Sequence, residues 1–96
     1  MSKAVRLLSE KRVEDGCITD ITVWLLPEPV PPCLHRFKYR LFFGRAGQRI
    51  VGYDNERGKG DHKHIGGAEL PYAFVSIERL VVDFLDDVRR VKESAP

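Results

Sequence analysis

Two imidazoles spaced two residues apart, His62 and His64, end a polar run that begins at Tyr53 and holds three acids and three bases. A hydrophobic core has no use for such a run. On an extended strand, residues i and i+2 share a face with Cβ atoms about 6–7 Å apart, a separation that straddles a phosphodiester. Imidazole titrates near neutral pH, so one ring can take a proton from an attacking 2′-hydroxyl while the other returns one to the leaving oxygen. Arg57, Lys59 and Lys63 are available to neutralise phosphate, and the guanidinium of Arg57 best suits the extra charge of a phosphorane-like transition state. Asp54 can orient a histidine or a cation. These residue types point to metal-independent RNA cleavage, with His62, His64, Arg57 and Asp54 as the catalytic group and no cofactor.

The same pattern admits other readings. His-x-His on a strand also presents two ligands to zinc or a related ion, with His35, Asp54, Asp61 or Glu56 completing the shell, which would make a metal-dependent hydrolase. A third reading is a solvated hairpin tip whose histidines are incidental. Gly58-Lys59-Gly60 lacks the full phosphate-loop pattern and reads better as a flexible turn.

A net charge of +2 is too small to identify a nucleic-acid binder, but its distribution is uneven. Between Pro29 and Tyr53 there is no acid, while Arg36, Lys38, Arg40, Arg45 and Arg49 all fall there. Arg36, Lys38 and Arg40 alternate with Phe37, Tyr39 and Leu41, which predicts a strand with an apolar face inward and a basic stripe outward. Such a stripe can track a phosphate backbone, although charged residues on an open sheet face also serve simply to deter aggregation. Cys17 and Cys33 have no metal-finger or CxxC spacing and are expected to be reduced and without a functional role. No apolar run is long enough to span a bilayer, and Met1-Ser2-Lys3 leads into charged residues instead of a leader core, so no membrane association and a cytoplasmic location are expected.

The elements that must position these groups follow from periodicity. Ala4–Val13, rich in helix formers and free of Gly and Pro, predicts a first helix. Ile18–Leu26 reads as a strand with Ile21, Val23 and Leu25 on one face. Four prolines between Pro27 and Pro32 then make a stiff connection. His35–Phe43 and Arg49–Asp54 form a hairpin about Gly44–Gln48, and Asp61–Ile65 is a short fourth strand ended by Gly66-Gly67. Ser76 offers an N-cap for a last helix carrying Ile77, Val81, Phe84, Val88 and Val91. The expectation is one α+β domain over residues 1–96, an antiparallel sheet of three or four strands flanked by an N-terminal and a C-terminal helix.

Tyr53-Asp54-Asn55, a glycine-containing basic loop, His62-Lys63-His64 and a closing amphipathic helix together resemble the TumE family of toxins, from about Tyr39 to Val91. That resemblance implies a small bacterial protein, the toxin of a type II toxin-antitoxin system, neutralised by a cognate helix-turn-helix antitoxin. The residues themselves motivate the ribonuclease chemistry and an RNA substrate, with Lys59, Lys63, Arg36, Lys38 and Arg40 as nucleic-acid contacts. A homodimer is compatible with the sequence. A module that binds nucleic acid or a partner protein without turnover is the alternative.

Overall fold

The computed structural model describes residues 3–94; Met1, Ser2 and residues 95–96 of the expected domain lie outside them. Six strands form one antiparallel sheet in simple chain order: β1 (Val5–Glu14), β2 (Cys17–Leu25), β3 (Phe37–Arg45), β4 (Gln48–Glu56), β5 (Gly60–Ile65) and β6 (Ala68–Pro71). One helix, α1 (Ile77–Ser94), follows. The class is α+β, as the periodicity predicts, but the sheet has six strands and the described residues contain no N-terminal helix.

The predicted helix over Ala4–Val13 is instead the long strand β1. Asp15 and Gly16 both adopt positive φ, 54° and 77°, the geometry that matches the twist of a tight hairpin. From this turn β1 pairs with β2 all the way from Glu14↔Cys17 to Val5↔Leu25, with an irregularity at Leu7. Intrinsic helix preference is worth only tenths of a kcal/mol per residue, and Val5, Leu7, Leu8 and Val13 form no stripe to reward a helix with burial. Cross-strand pairing therefore decides. Likewise, Gly66-Gly67 does not end the sheet; the chain reverses there and β6 pairs with β5 from Ile65↔Ala68 to His62↔Pro71.

Alternation divides the sheet into two faces. Ile21, Val23, Tyr39, Leu41, Phe43, Val51 and Tyr53 are buried together against Leu80, Phe84 and Val88 of α1. The helix begins where expected, with Ser76 Oγ accepting the Arg79 N–H at 3.1 Å. Ile77, Val81 and Val91 flank the contact. No helix among the described residues is long and apolar enough to cross a membrane. Among the described residues, the opposite face of the sheet carries no helix, and it presents the candidate site.

Candidate functional site

Each residue of Tyr53-Asp54-Asn55 does a different job because successive side chains leave β4 on opposite faces. Tyr53 points into the core, where its hydroxyl donates to Asp87 of α1. Asp54 points to the open face. Asn55 returns to the core phase, where a polar side chain must find partners or pay for its burial. It finds them on β3: Oδ1 accepts the Tyr39 N–H at 2.9 Å and Nδ2 donates to the Phe37 carbonyl at 2.7 Å. Direct β3–β4 pairing runs only to Arg40↔Asp54, so the Asn55 amide continues the ladder where the two backbones part.

On the open face, β4 and β5 pair with Asp54 opposite His62 and Gly52 opposite His64. The two imidazoles therefore share a face, with ring centroids 5.1 Å apart and planes at 80°. Their environments differ. His64 is half-buried, whereas the His62 side chain is only 6% exposed. The Nδ1–H of His62 donates to the Gly60 carbonyl at 2.9 Å, because that oxygen can only accept. This leaves Nε2 facing Asp54 Oδ1 at 2.5 Å. The approach is close but poorly aligned, and both atoms are sealed from solvent without a hydrogen-bond partner. Glu69 Oε1 stands 3.8 Å from the same Nε2 and also takes Lys59 Nζ at 3.4 Å. The hydrogen bond from Lys59 holds the Glu69 carboxyl below its usual range.

The cations predicted to surround the histidines are only partly gathered there. Lys59 lies on their side through Glu69, and Arg57 is exposed in the β4–β5 turn. Lys63 is elsewhere: the alternation that unites His62 with His64 sends it to the helix face, where its Nζ meets Asp87 at 3.2 Å. Of the predicted basic stripe, Lys38 and Arg40 lie on the open face of β3, while Arg36 is exposed just before that strand. Lys38 reaches the Asn55 carbonyl at 2.8 Å. A depression of about 400 Å³ on this face is lined by Trp24, Lys38, Arg40, Arg49, Asp54 and Glu56. It adjoins a second of about 350 Å³ that shares Trp24 and Arg40 and adds Arg6, Lys11 and Phe42. Gly52 makes room for the track: a Cβ there would come within 2.6 Å of the Arg49 side chain laid across it.

His35 and Asp61, candidates to complete a metal shell around the histidine pair, instead form a second polar cluster on the other side of the sheet. Asp61 Oδ1 accepts the Tyr39 hydroxyl at 2.6 Å and lies 2.9 Å from His35 Nε2, while His35 Nδ1 accepts the Phe37 N–H at 3.1 Å. Both ring nitrogens of His35 are thus engaged, and Nε2 carries the proton donated to Asp61. Cys33 is buried beside them, and burial pushes its thiol up. Burial, reinforced by Asp61, also raises the Tyr39 phenol above its ordinary range. The signal in the sequence is that Asn55 and Asp61 are polar residues in the core phase of their strands. Cys17 and Cys33 are both free thiols.

Among known protein families, the model described as Toxin TumE matches residues 3–92 of the chain. No curated protein and no solved structure matches the chain.

Proposed function

Because this chain belongs to the TumE toxin family, we propose that it arrests growth by cleaving RNA on the open face of its sheet, without a metal ion. Membership of a toxin family implies an antitoxin partner, and we take that partner to be a helix-turn-helix protein. The observation that carries the reading is the continuity of the track: Arg40, Arg49 and Trp24 line a depression that runs to Asp54, and Asp54 touches His62 beside His64. Cations along a sheet face bind a phosphate backbone, and an aromatic ring offers a stacking surface for a base.

The two histidines divide the work by exposure. His64, half-buried, is the imidazole that takes the proton of the attacking 2′-hydroxyl and returns it to the leaving 5′-oxygen. His62, with Nδ1 committed to Gly60 and Nε2 against Asp54, is a positioning residue that holds a charge or a proton behind it. Arg57 and Lys59, in and beside the β4–β5 turn, contact the phosphate. A cytoplasmic site of action follows from an RNA target.

Expression without the antitoxin should stop growth, and RNA from the arrested cells should be fragmented. His64→Ala should reduce cleavage by purified protein by roughly 10²-fold or more while leaving the thermal unfolding midpoint nearly unchanged. Intact RNA in arrested cells, or full toxicity of His64→Ala and the His62→Ala/His64→Ala pair, would overturn the assignment.

A further inference from the structure

Asp54 and His62 present an electrostatic problem that the rest of the fold leaves open. With Nδ1–H donating to Gly60, an uncharged His62 turns a bare Nε2 lone pair toward the lone pairs of Asp54 Oδ1, 2.5 Å away. Neither atom reaches water or another partner. Two buried acceptors in that arrangement need a positive charge between them. A proton on Nε2 would serve, and it would need only these two residues.

The surroundings supply a third ligand that a proton does not require. His64 places a ring nitrogen such that it, the His62 nitrogen and an Asp54 oxygen all lie within 4.8 Å of one another. Glu69 Oε1, 3.8 Å from His62 Nε2, is in reach as a fourth. We propose that Asp54, His62 and His64 form a site for a divalent transition ion of the zinc class, with Glu69 or water closing the shell. Two imidazoles and a carboxylate are the donors such ions prefer, whereas magnesium and calcium favour oxygen alone. Ligand atoms around a four-coordinate ion stand about 3.4 Å apart, since each bond is about 2.1 Å. That spacing lies between the 2.5 Å Asp54–His62 approach and the 4.8 Å limit within which all three donor atoms fall. The Gly60 carbonyl already plays the usual supporting role, fixing the ligating histidine through its other nitrogen.

The Cys33–His35–Asp61 group, whose donor atoms are equally close together, provides the contrast. Both nitrogens of His35 are occupied, and Asp61 is held by Tyr39 and His35. The group's donor atoms are tied to one another and to Tyr39 and Asn55, and none of them is among the buried atoms left without a partner.

The site stands on geometry, and only its consequence rests on the ribonuclease reading. An ion bound here would take the lone pairs that proton transfer needs, so zinc would inhibit cleavage. Metal-stripped full-length protein titrated with Zn²⁺ in competition with a chromogenic chelator should bind one equivalent. His64→Ala should weaken that binding at least about ten-fold, with circular dichroism confirming the fold, and Cys33→Ser should leave it unchanged. Cobalt in place of zinc should give the strong visible absorption of a four-coordinate ion, lost in His64→Ala. No binding, or binding insensitive to His64→Ala but lost in Cys33→Ser, would overturn the site and leave the proposed RNA cleavage untouched. Binding together with cleavage that disappears on chelation would keep the site and overturn the metal-free reaction.

Discussion

Asn55 shows how one side chain can stand in for main chain. Its amide supplies the acceptor and donor that a peptide unit would have offered Tyr39 and Phe37, inside a region where water cannot substitute. Asn55→Ala leaves a buried N–H and a buried carbonyl unpaired, each costing about 1–3 kcal/mol. The urea midpoint should therefore fall by an amount equivalent to about 2–6 kcal/mol; a change below about 1 kcal/mol would mean that water or a shifted backbone replaces the amide. This role was readable in principle, since Asn55 continues the inward series Val51, Tyr53. The joint placement of His62 and His64 was fully readable from their spacing. The same spacing also excludes Lys63 from their face, a step the clustering of charge obscured. The burial of His62 was not readable, because it depends on Asp54 and Glu69 arriving from neighbouring strands.

At the scale of elements, local preference decided α1 and failed at β1. The helix stripe is long, repeated and capped by Ser76, so propensity, pattern and burial agree. In β1 they conflict, and the Asp15-Gly16 turn settles the matter by delivering β2 alongside. Of the three glycines in the β3–β4 hairpin, Gly44 and Gly47 have opposite reasons for being there. Gly47 has φ of 76° and open space where a Cβ would go, so Gly47→Ala should cost only the left-handed conformation, about 1–2 kcal/mol. Gly44 sits at the register irregularity of β3, where a Cβ would lie 2.4 Å from the Gln48 carbonyl oxygen and 2.6 Å from the Phe42 ring. A backbone oxygen cannot step aside as a flexible side chain can. Gly44→Ala should be the more damaging of the two in thermal denaturation, and the reverse order would show that the hairpin shifts easily.

Across the whole molecule, the two faces of the sheet are built on different principles: apolar burial under α1, and polar groups over the open side. Three phenols pin the covered side. Tyr39 donates to Asp61, Tyr53 to Asp87 and Tyr72 to Asp83, and these are all the tyrosines in the chain. Burial first, and the aspartate hydrogen bond next, raise all three phenols above their ordinary values. An unfolded tyrosine ionises near pH 10. Because the folded values are higher, this contribution to stability is complete below about pH 10 and is lost as pH rises from there toward the folded values. Tyrosinate absorbance should thus grow only as helical circular dichroism disappears; ionisation preceding that loss would show the phenols to be accessible. At the other margin, β1 gives only one of its sides to β2, the other lying at the border of the sheet among the described residues. Beyond the irregularity at Leu7, every second amide along Leu8–Glu14 consequently hangs free, so deuterium uptake there should flicker residue by residue, slow then fast, like the teeth of a half-closed zip.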